Sequence, residues 1–390
     1  MRHLYNIYGI VTGALLFAMA VTGCVADDEQ LTPDSGTTTE MTLLVRKPSS
    51  SRAQATPDLS TDAGIIEFLR TLNGEFEVGD KIRLVNTLDD RAPNFTEWKT
   101  TTIGGNNGYF EYYCIENDTT SDGFYRFKPT TSRALKWTDT PEPYNKDAIY
   151  TNSRNYTFDA LFYKTSTLFN NISTGERSVS GYVQEDQSSP ENFLASDVMH
   201  AHHLIPSSSK GTVIKLRFWH QMAMVVINVS VPAETFGVGF NWAQMRAADC
   251  KLTNFYRSFS LNYVHVDSDK GIPTSILGEE RSDIQMCPVG DPRSQTGTDG
   301  TLQWVRTFAA LVPEQRKTDG SHFCRFGIDG KGYVYNPNGD VEMMASRMTI
   351  IDLHINPEKD DPILISSRIL PWDYAHTDWF PLYPEKEINE

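Results

Sequence analysis

Short runs of alternating apolar and polar residues dominate this chain. In Glu40–Lys47 (EMTLLVRK), Met41, Leu43 and Val45 alternate with more polar neighbours, which predicts a strand. In Phe76–Val85, a Gly79–Asp80 turn precedes Ile82 and Leu84, which alternate with Lys81 and Arg83 as in a half-buried strand. Asp62–Asn73 departs from this pattern. Ile65, Phe68, Leu69 and Leu72 fall at helical spacing, Ser60, Thr61 or Asp62 can cap the start, and Gly74 suits the C-terminal cap. Up to about Tyr182, β-rich runs such as Tyr109–Ile115, Phe124–Phe127 and Tyr156–Tyr163 are punctuated by Asn, Gly, Asp and Pro. Their aromatic residues fit a sandwich core and cross-strand pairs.

Thr212–Val231 is the strongest apolar stretch after the N-terminus. Ile214, Leu216 and Phe218 alternate with Lys215 and Arg217, and from Met222 both faces turn mostly apolar, as in a central strand. His220–Val225 alone would also fit a helix, but the β-branched run Val225–Ile227 favours strand, with a bulge or short turn at Trp219–Gln221. Further strands are predicted at Thr253–Val266, Leu302–Val312, His322–Ile328, Tyr333–Tyr335, Met348–Ile355 and Ile363–Leu370. Turns are predicted at Asp267–Gly271, Asp291–Gly300, Thr318–Gly320, Asp329–Gly332 and Asn336–Asp340. Gln184–Asn192 is the most linker-like interior stretch and places a boundary between it and Lys210. The expected fold class is all-β, with antiparallel β-sandwich domains at residues 53–205 and 206–390.

The N-terminus carries a different signal. Ile10–Ala20 is an apolar run too short for a membrane span, and it follows Arg2, so residues 1–23 have the layout of an export signal. Val21–Thr22–Gly23–Cys24 resembles a bacterial lipobox, which implies cleavage before Cys24 and lipid on its thiol. Residues 24–52 then hold a polar, acidic tether and the first strand. Within the tether, Asp27–Asp28–Glu29 resembles the surface-export signal of lipoproteins in Bacteroidia-type bacteria. Pro48–Ser51 followed by Arg52 is the kind of small-residue loop that proteases cut.

Charge narrows the partners. Lys and Arg number 35 against 50 Asp and Glu, a net charge of −15, which disfavours nucleic acid and charge-driven adhesion to anionic lipid. Outer-membrane attachment would come from acyl chains on Cys24, each buried CH₂ contributing ~0.8 kcal/mol. Cys114, Cys250, Cys287 and Cys324 form no CxxC pair, so zinc is not indicated, and buried free thiols are favoured over a disulfide framework.

No catalytic constellation stands out: GxGxxG after a strand, a phosphate loop, GxSxG and HExxH are all lacking. His200 and His202 share a strand face and could bind a metal, but a solvated strand end is the simpler reading, since no acidic or Cys partner sits nearby at ligand spacing. Asp267–Gly271 reads as a β-turn rather than a calcium loop, and His220 as a satisfied core histidine. No enzyme activity, cofactor or metal is expected. The Pro-containing tail, Pro371–Glu390, holds Trp372 and Trp379, which could stack on a glycan.

The lipobox Cys24, the acidic run behind it, the strand at Met41–Val45 and the arginine loop at Arg52 together resemble the fimbrillins of Bacteroidia-type (type V) pili. Phe76–Val78–Gly79–Asp80–Lys81–Ile82 looks like the F-x-x-G-D-x-I turn and strand of that family. Ser196–Asp197–Val198, followed by Val213, Leu216, Phe218, His220, Met222 and Val225, is similar to another of its segments. The resemblance implies two transthyretin-like β-sandwiches and a fimbrial subunit or fimbria-associated adhesin on the cell surface. It further implies cleavage after Arg52, with Arg46 the alternative, and loss of the strand carrying Met41, Leu43 and Val45. A strand from another fimbrial subunit, drawn from Ile363–Leu370 or the tail, would then fill the groove. A monomeric lipoprotein that binds glycan or protein on host or bacterial surfaces is the second reading.

Overall fold

The computed structural model describes residues 43–47, 57–88, 110–119, 123–129, 155–164, 169–173, 178–206, 213–233, 242–262, 274–297, 300–318, 320–355 and 363–372. The export signal, Cys24, Met41, Arg52 and Trp379 lie outside these residues. The first strands are β1 (Leu43–Arg46), β2 (Lys81–Leu88), β3 (Phe110–Thr119), β4 (Tyr125–Pro129), β5 (Asn155–Tyr163), β6 (Phe169–Ser173), β7 (Ser178–Tyr182), β8 (Val198–Pro206), β9 (Ile214–Arg217) and β10 (Trp219–His220). They are followed by β11 (Ala223–Pro232), β12 (Asp249–Tyr256), β13 (Ser258–Asn262), β14 (Thr274–Leu277), β15 (Arg281–Gln285), β16 (Cys287–Thr296) and β17 (Leu302–Val312). The last are β18 (Gln315–Lys317), β19 (Cys324–Ile328), β20 (Lys331–Tyr335), β21 (Val341–Met343), β22 (Arg347–His354) and β23 (Ile363–Pro371). Among the described residues, three short helices interrupt them: α1 (Asp62–Thr71), α2 (Pro190–Ala195) and α3 (Trp242–Arg246). The fold is all-β, as the alternation predicts.

An eight-stranded sheet runs in the order β10-β8-β5-β2-β3-β4-β1-β9. β9 and β10 stand at opposite ends of that order, yet Phe218 alone separates them in the chain. The two steps from Arg217 to Trp219 advance only ~6.8 Å along an extended chain, far less than the width of an eight-stranded sheet at ~4.8 Å per strand. The two ends of the sheet therefore lie side by side, and the sheet curls on itself. One cluster of buried side chains lines it, including Leu43, Val45, Ile82, Leu84, Phe127, Phe158, Phe162, Ile214, Leu216 and Phe218. Phe76 meets Tyr125, Phe127, Phe162 and Phe218 edge-on at 5.0–6.0 Å between ring centres, the geometry that ring quadrupoles favour.

The second half forms a five-stranded sheet, β16-β17-β11-β22-β23, and a four-stranded sheet, β15-β12-β19-β20. β14-β13-β7-β6 make another four-stranded sheet, and β18 pairs with β21. β11 is its apolar spine, with Ala223–Ile227 buried on both faces, antiparallel to β17 and parallel to β22. This second cluster also takes Ile65 and Leu69 of α1. Arg293 fastens the helix start, its Nε donating to Asp62 Oδ1 at 3.1 Å and an Nη to Thr307 Oγ1 at 2.8 Å.

Several local features differ from the sequence reading. Of the three expected caps, Thr61 is the one that starts α1, accepting from Gly64 N–H at 3.0 Å, whereas the left-handed residue past the helix end is Asn73 (φ 60°), not Gly74. Asn tolerates this conformation better than most residues, which frees Gly74 from the role. The linker-like stretch is ordered: Ser189 caps α2 with Pro190 in its first turn, and Gln187 is buried. Both ends of the Gln187 amide bond the backbone of Leu311 at 2.8 Å. The turn expected at Asp291–Gly300 is largely strand. β16 runs through Pro288, Gly290 and Pro292 because it is an edge strand, and a register shift between Val289 and Arg293, with Gly290 at φ +63°, absorbs the irregularity. β9 and β10, which follow the join expected at 205–206, belong to the eight-stranded sheet.

Candidate functional site

β1 is inserted between two partners. It pairs antiparallel with β4 (Leu43 opposite Phe127, Val45 opposite Tyr125) and parallel with β9 (Leu43 opposite Ile214, Val45 opposite Leu216). Leu43, Leu44 and Val45 are all buried. Alternation alone would bury only Leu43 and Val45; Leu44 is covered as well because the strand is enclosed on both faces. Each such side chain contributes ~1.5–3 kcal/mol on leaving water. Past its end, Phe218 N–H donates to Arg46 C=O at 2.9 Å.

Lys47 then turns inward and is 1% exposed. Its Nζ donates to Asn73 Oδ1 at 2.7 Å and to Glu75 C=O at 2.8 Å, and lies 3.5 Å from an Asp80 carboxylate oxygen. The faces of Phe162 and Phe76 lie 4.1 and 4.5 Å from it. Burial pulls its pKa down to about 8 against the attraction of Asp80. The ammonium therefore stays charged at neutral pH, which is why acceptors and aromatic faces surround it.

The contacts run on from this pocket. Asn73 Nδ2 donates to Asp197 Oδ2 at 2.8 Å, and the other Asp197 oxygen is 3.0 Å from His220 Nδ1. His220 stacks on Trp372, with ring centres 3.6 Å apart and planes 6° from parallel. The backbone N–H of Trp372 donates to Ser346 C=O at 3.0 Å. The end of the first strand is thereby connected, through α1 and the residue before β8, to the last described residue. The Phe76–Ile82 and Ser196–Val198 segments and His220 supply several of these groups, whereas the spacing gave no sign of the part played by Lys47 or Asn73.

Two candidate sites are corrected. Trp372 was expected as an exposed stacking surface, but it is 1% exposed and its ring is occupied by His220. His200 is not at a solvated strand end. It is buried, with Nε2 3.0 Å from Asp159 Oδ1 on β5, and His202 Nδ1 lies 2.9 Å from the same oxygen. Strand pairing supplies the acidic partner that sequence proximity could not. Burial opposes ionisation of Asp159, but the two histidine hydrogen bonds and their charges prevail and hold its pKa well below the usual carboxylate range. Among the described residues, no group of three or more His, Cys, Asp or Glu is arranged to hold a metal ion.

Cys114, Cys250, Cys287 and Cys324 are buried free thiols. Burial raises the pKa of Cys250, helped by its hydrogen bond with Cys324, and that of Cys287 to about 11, so neither is a reactive thiolate. β23 is the open edge of the five-stranded sheet and exposes Leu364 and Ile369. No helix among the described residues is long and apolar enough to cross a membrane.

The described residues thus form an all-β chain whose strand β1 is enclosed between β4 and β9. The fimbrillin-like family model matches residues 70–372, and the chain belongs to the fimbrillin-like family. Membership supports a fimbrial or adhesin role at the cell surface, with other fimbrial components as partners. A structure from Bacteroides uniformis described as a cell adhesion protein is similar at 13% identity and TM-score 0.48, over 85% of this chain and 98% of that one. The fimbrial anchor protein Mfa2 from Porphyromonas gingivalis is similar at 10% identity and TM-score 0.35, over 86% and 98%. A fimbrial protein from Bacteroides vulgatus is similar at 10% identity and TM-score 0.39, over 85% and 99%. Comparison with curated proteins returned no match.

Proposed function

We propose that this chain is a fimbrial subunit or fimbria-associated adhesin that reaches the outer membrane as a lipoprotein on Cys24 and assembles by strand replacement. In this reading its sheets make two transthyretin-like β-sandwiches. The observation that carries it is the placement of β1. That strand lies between β4 and β9 with Leu43, Leu44 and Val45 buried, yet one cut between Lys47 and residue 57 severs it from every later element. Its departure would leave a groove lined by Phe127, Ile214 and Leu216, with unpaired backbone groups on two strands, an unfavourable state that another extended segment relieves.

The cut falls at Arg52 rather than Arg46. Arg46 is inside β1, its carbonyl is bonded to Phe218 and the next residue is buried, so a protease cannot seat the bond without first unfolding the strand. N-terminal sequencing and mass analysis of the surface-assembled protein test the proposal. The expected first residue is Ala53, without lipid. An assembled form still beginning at lipid-bearing Cys24 overturns it. The glycan-binding alternative loses support with the burial of Trp372.

A further inference from the structure

The pocket around Lys47 is built by groups that remain behind if β1 leaves. Asn73 follows α1, Glu75, Phe76 and Asp80 follow it in the turn before β2, and Phe162 belongs to β5. We propose that this pocket recognises a lysine ammonium on the incoming strand and so selects which strand replaces β1. The inference rests on the strand-replacement reading.

An apolar groove by itself is a poor discriminator, because any strand with the right alternation fits, and a slip of two residues presents the same face. The pocket removes that freedom. It lies two residues beyond Val45, so a cation reaches it only in one direction and one register. A strand without the cation leaves Asn73 Oδ1 and Glu75 C=O without their donor and Asp80 without its counter-charge, in a site where Lys47 itself is 1% exposed. Buried acceptors without donors cost enough to weaken binding by about tenfold or more. The aromatic faces of Phe76 and Phe162 further favour a cation over a neutral amine or amide.

The required pattern is three consecutive apolar residues, any residue, then lysine. In this chain it occurs at Leu43–Lys47 and at Ala160–Lys164, and Ala160–Tyr163 of the latter lie on β5, which is paired on both sides, with β2 and β8. Ile363–Leu370 contains Arg368 but no lysine. Leu382–Lys386 has the spacing but places Pro384 at the register of Val45, where a strand paired on both sides needs its N–H. A second copy cut at Arg52 has lost its own Leu43–Lys47, so the occupant is a strand of a different subunit carrying this pattern.

The test uses the full chain nicked at Arg52 by an arginine-specific protease, incubated with excess fluorescent peptide spanning Met41–Lys47 or its K47M counterpart. Anisotropy is expected to show at least tenfold tighter capture of the lysine peptide. Equal affinities overturn the recognition pocket and leave strand replacement standing. Capture of neither peptide overturns strand replacement and the pocket with it. Polymers formed by the nicked chain alone overturn the conclusion that the occupant comes from a different subunit.

Discussion

Lys47 Nζ stands 2.7 Å from Asn73 Oδ1, across 26 positions of sequence. That bond fixes the amide, because with Oδ1 accepting from Lys47, Nδ2 must donate, and it does so to Asp197 at 2.8 Å. Asn73 can bridge the two because its left-handed backbone, φ 60°, ends α1 and turns the side chain between β1 and the residue preceding β8.

Replacing this residue separates its two roles. N73G keeps a backbone that tolerates positive φ and removes the amide, so Lys47 and Asp197 each lose a partner. The expected loss is ~1–3 kcal/mol in urea unfolding. An unchanged midpoint would refute the bridging role.

Lys47 gives the pH dependence a definite sign. Its folded pKa, about 8, lies below the ordinary 10.5. Between those values the unfolded chain binds the proton more often, so this group's contribution to stability rises with pH across that window and is flat below it. Measured against K47M to remove other titrations, the gain is expected to approach about 3 kcal/mol by pH 10.5. A difference that falls over this range contradicts the burial of the ammonium.

Core truncation in β1 measures how firmly the strand is held. L43A removes a side chain that is 0% exposed and faces Phe127 and Ile214. A loss of ~2–5 kcal/mol is expected by chemical denaturation. A loss below ~1 kcal/mol would mean that the strand is peripheral.

Trp372 is expected to act through stability and not through sugar. W372A should cost ~3–5 kcal/mol, since it empties a buried site stacked on His220. Sugar-dependent quenching of tryptophan fluorescence should be the same before and after the substitution. Quenching abolished in a folded W372A protein would return this residue to ligand binding.

Asp159 governs part of the acid limb. Its folded pKa lies below the ordinary 3.8, so its contribution is present above that value and is lost as pH falls through the lower one. In D159N the pH dependence of unfolding below about pH 4 should flatten while overall stability drops. An acid profile that overlays the wild type would show that the histidines do not depend on this carboxylate.

The sequence made the strands more legible than their surroundings. Leu302–Val312 and the start of β23 at Ile363 read directly from apolar runs and flanking turns. β16 was missed because prolines and a glycine look like turn punctuation, and only its place at a sheet edge makes them tolerable. The site was less visible for a related reason. Lys47, Asn73, Asp197 and His220 are far apart in the chain and polar, so the pattern shows the first two only as the last residues of a predicted strand and a predicted helix. Asp159 and His200 meet only through the pairing of β5 with β8, which a one-dimensional pattern does not contain.

β9 and β10 are a single extended piece interrupted by Phe218, and each is fastened at a different end of the curled sheet. Were β1 withdrawn, β9 could not drift across to β4, because His220 and Trp219 remain clipped to Met199 and His200 of β8. The gap would keep the width of two strand spacings, ~9.6 Å. It then behaves as a mould that outlasts the piece cast in it. Under strand replacement a newcomer would not have to prise apart closed layers, and filling would be paced by encounter rather than by rearrangement of the walls.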